Sequence, residues 1–265
     1  MLVSISIQLM WESLPFADRV RAAADAGFDL VDLWDWRNSD IDAVHAVCSE
    51  TGIGINGFFG TRDTALCDPE AQSEVLEEFK TNLEVAVEKG ARHLHVFSNA
   101  IRPGGVVVPA PPLSHNALMG ACLEALDKAA DLAKGTGVQI VLEHLNNVFL
   151  PGYLWDDVNK TAALVRELGR DEVGMVFDTF HQQLNYGRLT DSLVGCLDQL
   201  VRVDLAQVPG RFEPGVGEID MGFLLGVLKD AGWDGTLTFE VVPSDGNPDN
   251  AVGAIHRLLD EYRWW

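Results

Sequence analysis

The sequence predicts an α/β protein, a (β/α)8 TIM barrel that forms a single domain over residues 1–265. Short runs rich in β-branched residues alternate with amphipathic helical patterns, and eight such strand–helix units follow one another. The length of 265 residues is close to the roughly 250 residues typical of these barrels. A doubly wound sheet, which usually has about five to seven strands, is the alternative fold.

The elements of this pattern can be placed along the chain. The strand candidates are 3–7, 30–34, 52–56, 93–97, 139–143, 174–178, 201–204 and 236–240. The helical patterns cover about 14–27, 40–51, 69–90, 115–135, 155–169, 190–199, 221–231 and 248–261. Each helical pattern has apolar residues three and four positions apart, as expected for one buried face. Glycine follows most of these patterns, where a left-handed residue commonly ends a helix, and Asn247-Pro248 opens the last one.

Composition excludes several functional classes. The formal net charge is −21, whereas nucleic-acid binding needs a basic surface. We therefore expect no nucleic-acid partner and no attachment to an anionic membrane. No apolar run approaches the roughly 18 residues of a membrane-spanning helix, and the first ten residues lack the features of a signal peptide. The four scattered cysteines suggest free thiols, so a cytoplasmic protein is expected.

The last four predicted strands each end in an acid: Glu143, Asp178, Asp204 and Glu240. Chemistry in a barrel lies at the C-terminal ends of the strands, and neighbouring strands would bring these carboxylates together. Like charges at that distance raise each other's pKa and destabilise the fold unless a cation compensates. Oxygen ligands favour a hard ion, so the pattern predicts one divalent cation, Mg²⁺ or Mn²⁺. The alternative is that each strand simply ends in a polar residue where the chain emerges.

Alternation along the seventh strand places Arg202 on the same face as Asp204. Arg202 is therefore predicted to pair with a carboxylate inside the barrel. His181 follows Asp178 by three residues, at the reactive face, where it either contacts the substrate or has a capping or surface role.

Arg211 is the only cation in a loop rich in glycine and proline that follows Asp204. An arginine suits a substrate carboxylate or phosphate, and an ion pair with Glu213 or Glu218 within the loop is the alternative.

Four other features of the sequence are ambiguous or lack the context of a functional motif. The proline-rich stretch 99–114 is either a lid or a rigid surface loop. Gly52–Gly57 matches G-x-G-x-x-G, but it lies within a predicted strand and so lacks the context of a dinucleotide site. Two terminal tryptophans, Trp264 and Trp265, are expected to pack beneath the barrel or in an interface. Five aromatic residues near the ends of the first three strands form either a wall opposite the acids or part of the core: Trp11, Trp34, Trp36, Phe58 and Phe59.

Taken together, these motifs resemble the hydroxypyruvate isomerase family, within the xylose-isomerase-like TIM barrels. The resemblance covers nearly the whole chain, and its most specific part is Val208-Pro-Gly-Arg211, Glu213-Pro-Gly215 and Gly217-Glu-Ile219. Similar segments are Glu12–Arg19, Ala24–Phe28, Glu143-His-Leu-Asn146, Gly232-Trp-Asp-Gly235 and Phe239-Glu240.

The resemblance implies a divalent-metal isomerase, a homo-oligomer acting on a small hydroxy-carbonyl or sugar substrate. Glu143, Asp178, Asp204 and Glu240 would be the metal ligands, and Glu143 and Glu240 would exchange the proton. His181 and Arg211 would contact the substrate. Hydroxypyruvate would become tartronate semialdehyde, or a related sugar acid would be isomerised.

Three departures from the family pattern leave the substrate open. Asp204 stands where the family usually has glutamine or histidine, Arg202 where it has histidine, and His144 where it has proline. A ketose 3-epimerase, an isomerase of a larger sugar, and a metal-dependent lyase acting on a 3-oxo sugar or glycoside are therefore alternatives. A non-catalytic sugar-binding barrel is the alternative outside the enzymes.

Overall fold

Eight parallel strands close into a barrel in the computed structural model, which describes residues 1–262. With a further pair outside the barrel, the strands of this part of the chain are β1 (Leu2–Ser6), β2 (Leu30–Asp32), β3 (Gly54–Phe59), β4 (His93–Val96), β5 (Ile101–Arg102), β6 (Val106–Val107), β7 (Gln139–Glu143), β8 (Val173–Asp178), β9 (Leu200–Leu205) and β10 (Thr236–Phe239). The barrel order is β1-β10-β9-β8-β7-β4-β3-β2, and β5 and β6 form a separate antiparallel hairpin. The predicted (β/α)8 fold is confirmed.

At least one helix follows each barrel strand in sequence. These helices are α1 (Phe16–Asp25), α2 (Ile41–Thr51), α3 (Gln72–Lys89), α4 (His115–Ala133), α5 (Val158–Leu168), α6 (Thr179–Asn185), α7 (Leu189–Cys196), α8 (Met221–Asp230) and α9 (Pro248–Tyr262). Apolar side chains on the outer face of the strands, such as Leu94 and Phe239, are fully buried. The main core therefore lies between the barrel and the helices.

The inside of the barrel is unusually polar. Asn56 on β3 reaches across to Thr238 on β10, at 3.2 Å between Nδ2 and Oγ1. Arg202 on β9 likewise reaches Asp32 on β2, at 2.5 Å between Nη1 and Oδ2. Barrel interiors of this fold are usually filled by branched apolar residues. Here the hydrogen-bonded interior forms a polar floor beneath the C-terminal ends of the strands.

Strand register sets the height of the acidic residues. Asp178 on β8 pairs directly with Asp204 on β9, and Asp204 pairs with Thr238 on β10. Glu240 directly follows β10, and its backbone N–H donates to Leu205 at 3.2 Å. Because β7, β8, β9 and β10 are consecutive in the barrel, their carboxylates emerge at one end and close together.

Two elements were not predicted from the sequence. Helix α6 starts directly after β8, and the Asp178 side chain caps it by accepting from the His181 backbone N–H at 2.9 Å. The segment 99–114 contains the β5–β6 hairpin, whose base is fixed by a 2.7 Å hydrogen bond from the Ile101 N–H to the Arg62 carbonyl. Whether this hairpin moves as a lid stays a prediction.

The third strand lies slightly later than predicted. Gly52 ends α2 in a left-handed conformation, with φ at 83°, so β3 begins only at Gly54. The G-x-G-x-x-G match thus spans a helix end and a strand, which agrees with its rejection as a dinucleotide motif.

Within residues 1–262, no helix combines the length and the apolar character needed to cross a membrane. The predicted packing of Trp264 and Trp265 concerns residues outside the described part of the chain.

Close contact between β3 and β4 predicts that Gly57→Ala destabilises the protein. A Cβ at position 57 would lie 2.6 Å from the backbone oxygen of His93, so the strands must separate, at a cost of about 1–3 kcal/mol. Gly120→Ala in α4 is the control, since a Cβ there meets nothing within 4 Å and alanine favours a helix by up to about 1 kcal/mol. Urea unfolding measures both variants, and equal stability of Gly57→Ala and the wild type would contradict this packing.

Candidate active site

The four acids predicted from the strand ends form one cluster. Glu143, Asp178, Asp204 and Glu240 each place an oxygen within 4.8 Å of an oxygen from every other member. All four are buried, with exposures between 1% and 7%. The structure thus brings together every residue predicted as a metal ligand.

Burial and mutual repulsion change the acidity of this cluster. Burial, reinforced by the charges of Glu240 and Asp178, raises the pKa of Glu143 well above its usual range. Burial also raises the pKa of Asp178 to about 6 and that of Asp204 to about 7, although nearby arginines oppose both shifts. The pKa of Glu240 alone is lowered, because Arg211 and a hydrogen bond from Trp34 outweigh its burial.

A divalent cation fits this donor set. The four side chains offer carboxylate oxygens, which are the ligands that Mg²⁺ and Mn²⁺ prefer. Their oxygens lie close enough to share one ion, and a positive charge there would relieve the repulsion that raises the carboxyl pKa values.

Arg202 lies fully buried beneath the acids. Its Nε and Nη2 donate to the two oxygens of Asp204, at 2.5 and 3.0 Å. Its Nη1 donates to Asp32 at 2.5 Å. The predicted pairing of Arg202 with a carboxylate is confirmed, and a second partner, Asp32, was not foreseen.

Arg211 turns toward the acid cluster and not toward the acids of its own loop. Its Nη2 contacts Glu240 and lies 3.4 Å from Asp178, and its guanidinium lies 4.9 Å from the ring centroid of Phe180. The backbone of Arg211 is left-handed, with φ at 56°, a conformation that is uncommon outside glycine.

The alternative predicted for Arg211, an ion pair within the loop, is therefore absent among the described residues. Glu213 instead accepts from the backbone and hydroxyl of Ser244, at 2.9 and 2.6 Å. Glu218 accepts from Gln183 at 2.9 Å.

His181 presents one ring nitrogen to the site. Its Nδ1 accepts from the Asn146 backbone N–H at 2.9 Å, so in the neutral ring the proton lies on Nε2. Burial lowers the pKa of His181 to about 3, which keeps the ring neutral. Nε2 lies 3.8 Å from Asp178 and 4.0 Å from Glu143. The Nε2 N–H of the imidazole thus faces the acid cluster, while the His181 backbone N–H donates to the Asp178 side chain that caps α6.

Sequence reasoning missed two side chains that hold the glutamates. Trp34 Nε1 donates to Glu240 Oε1 at 2.6 Å, and His95 Nδ1 lies 3.1 Å from Glu143 Oε2. His93 and His95 alternate along β4 on one face. That pattern is the signal that would have pointed to an inward-facing polar residue on this strand.

A pocket of about 370 Å³ opens above the cluster. Trp34, Phe58 and Phe59 line it, whereas Trp11 packs in the core and Trp36 donates to Asn82. Three of the five aromatic residues thus line the pocket, but Phe58 also belongs to the core and Trp34 contacts one of the acids. The turn of the β5–β6 hairpin and four arginines also line the pocket: Arg62, Arg102, Arg202 and Arg211.

Two curated relatives resemble the chain over most of its length. It is 31% identical to 2-oxo-tetronate isomerase of Haemophilus influenzae, across 90% of this chain and 92% of the relative. It is 28% identical to a Streptomyces coelicolor protein named "Putative hydroxypyruvate isomerase", across 91% of each chain. Both names agree with the predicted isomerase of the aldose–ketose type.

Solved structures share the fold at lower identity. AP endonuclease, family 2, from Brucella melitensis superposes with a TM-score of 0.84 at 24% identity, covering 97% of this chain and 99% of the other. The 3-keto-D-glucoside 4-epimerase of E. coli gives a TM-score of 0.80 at 21% identity, covering 98% and 99%.

The model of the xylose isomerase-like TIM barrel family matches residues 20–262. With the fold, the acid cluster and these relatives in agreement, the chain belongs to the xylose isomerase-like TIM barrel family.

Proposed function

We propose that this protein is a divalent-metal-dependent isomerase of small 2-hydroxy-carbonyl acids. It would convert hydroxypyruvate to tartronate semialdehyde, or isomerise a related sugar acid such as a 2-oxo-tetronate. The observation that carries the proposal is the cluster of four buried carboxylates at the base of the pocket. The relatives named for 2-oxo-tetronate and hydroxypyruvate support the substrate class.

In the proposed reaction, Glu143 and Glu240 act on the substrate as a pair: one removes a proton and the other adds one. One glutamate takes the proton from the carbon that bears the hydroxyl, and the electron pair of that bond forms the double bond of an enediolate. The other glutamate returns a proton to the former carbonyl carbon, and the proton of the original hydroxyl passes to the former carbonyl oxygen, so the hydroxyl and carbonyl exchange places. Strands β8 and β9 lie between β7 and β10, so the two glutamates approach the site from different sides.

Glu143, Asp178, Asp204 and Glu240 would hold one Mg²⁺ or Mn²⁺. When bound, such an ion polarises a carbonyl and stabilises negative charge that develops on oxygen. Around it, His181 would donate to a substrate oxygen through Nε2, and Arg211 would bind the substrate carboxylate as a charge-assisted pair.

A second candidate is an epimerase or lyase acting on a 3-oxo sugar. A structure named as a 3-keto-D-glucoside 4-epimerase shares the fold, and the same two glutamates suit proton exchange beside a ketone. A panel of acids, ketoses and 3-oxo glycosides separates these activities. DNA cleavage is disfavoured despite the likeness to an AP endonuclease structure, because the net charge of −21 opposes binding to DNA.

Replacing either glutamate should abolish isomerisation. In Glu143→Gln and Glu240→Gln, we expect the turnover of hydroxypyruvate to fall by about 100-fold or more, since each loses a proton-transfer group. Proton NMR in D2O follows both product formation and the entry of solvent deuterium into the substrate. Glu167→Gln, at an exposed position on α5, is the control. Wild-type deuterium incorporation in both glutamate variants would rule the mechanism out.

A cation should stabilise the folded protein through the cluster. After treatment with EDTA, Mn²⁺ at 100 times its Kd is expected to add about 2.7 kcal/mol to the free energy of unfolding. The gain should be lost in Asp178→Asn and reduced in Asp204→Asn, and kept in Asp191→Asn, where the acid is exposed on α7. Scanning calorimetry measures it. If Mn²⁺ changes nothing in the wild type, the sugar-binding barrel becomes the better interpretation.

Arg211 and a cation should compete for the same carboxylates. Because Arg211 contacts both Asp178 and Glu240, Arg211→Ala removes a positive charge from the site. We expect Mn²⁺ to bind about tenfold more tightly or better by titration calorimetry, at a pH above the raised carboxyl pKa values. The KM for hydroxypyruvate should rise in the same variant. Arg188→Ala, at an exposed arginine, is the control, and weaker Mn²⁺ binding by Arg211→Ala would contradict the competition.

A further inference from the structure

His95 lies between the buried arginine and the first glutamate of the cluster. Its Nε2 is 2.7 Å from Arg202 Nη1, and its Nδ1 is 3.1 Å from Glu143 Oε2. Its exposure is 4%. One imidazole thus joins a residue from β9 to a residue from β7.

The chemistry of arginine determines where the proton of His95 lies. A guanidinium offers only N–H donors, so Nε2 of His95 must accept with a free lone pair. A neutral imidazole then carries its proton on Nδ1, and that proton points at Glu143 Oε2. Arg202 cannot easily turn away and reverse this arrangement, because its other N–H groups donate to Asp32 and Asp204.

We propose that His95 is a positioning residue for Glu143, fixed by Arg202 as the neutral tautomer protonated on Nδ1. The inference rests on the proposed role of Glu143 in proton exchange. The hydrogen bond restrains Oε2 and limits rotation of the carboxylate. Oε1, which lies on the side of His181 Nε2 at 4.0 Å, is therefore the oxygen presented to the substrate.

This role differs from simple filling of the barrel interior. A space-filling role depends on the volume of the side chain, whereas the positioning role depends on a donor at the place of Nδ1. Asparagine places its amide nitrogen near the position of Nδ1, and glutamine places its amide group near the position of Nε2. His95→Asn should therefore preserve the contact with Glu143 better than His95→Gln, and His95→Leu should preserve neither contact.

The kinetic test compares these variants with Mg²⁺ and hydroxypyruvate or 2-oxo-tetronate. We expect kcat to fall by about 10- to 100-fold in His95→Leu and His95→Gln, as is typical when a supporting hydrogen bond to a site residue is lost. His95→Asn should recover much of that loss, and KM should change little. His93→Asn, on the same strand, is the matched control with kcat near that of the wild type.

The structural test needs no activity. Nitrogen-15 NMR of the Mg²⁺-loaded wild type, with the His95 ring assigned by its loss in His95→Asn, should show the proton on Nδ1. A ring protonated on Nε2, a doubly protonated ring, or an unchanged kcat in His95→Leu would each overturn the inference. A wild type that shows the Nδ1 tautomer but isomerises neither acid would instead overturn the proposed function and leave the tautomer assignment intact.

Discussion

The site is built around one buried positive charge. Arg202 is enclosed in the barrel, and an unpaired charge there would be strongly destabilising. Its hydrogen bonds to Asp32, Asp204 and His95 remove that cost and, in doing so, fix all three side chains. Because these residues come from β2, β9 and β4, the arginine also ties opposite sides of the barrel together below the pocket. The position of Glu143 depends on this network through His95.

Two arginines are not sufficient to neutralise the buried acids of the site. Five buried carboxylates, Asp32 and the four cluster acids, face Arg202 and Arg211. Fully ionised, they would leave a surplus of three negative charges. Burial raises the pKa of Asp32 and that of Asp204 to about 7. Protonation of these acids is therefore one way to reduce the surplus of negative charge. A divalent cation is the other, and it would do so without neutralising the carboxylates that the proposed proton exchange requires.

The parts of this site that could be predicted from the sequence depend on alternation within one strand and on the succession of strands along the chain. Alternation along a strand places Arg202 and Asp204 on one face, and the ends of consecutive strands collect the four acids. Contacts across the barrel were not predictable, because the approach of Asp32 and His95 to Arg202 depends on barrel closure and on the register of distant strands. The direction of the Arg211 side chain could not be predicted either, since it follows from a left-handed backbone in a long loop. That loop could equally have folded back on Glu213.

Arg211 would connect the charge balance to the proposed recognition of the substrate. It donates to Glu240 and lies close to Asp178, and it also lines the pocket. A cation on those carboxylate oxygens would weaken the attraction that holds the guanidinium against them, since both positive charges would share the same partners. In the proposed reaction, the arginine would then be available to a substrate carboxylate, which replaces the partners it gave up. Binding of the cation would therefore raise the affinity for an acidic substrate. By thermodynamic linkage, the acidic substrate would raise the affinity for the cation by the same factor. A neutral ketose would offer no such replacement, so in the proposed reaction this coupling would favour sugar acids over neutral sugars.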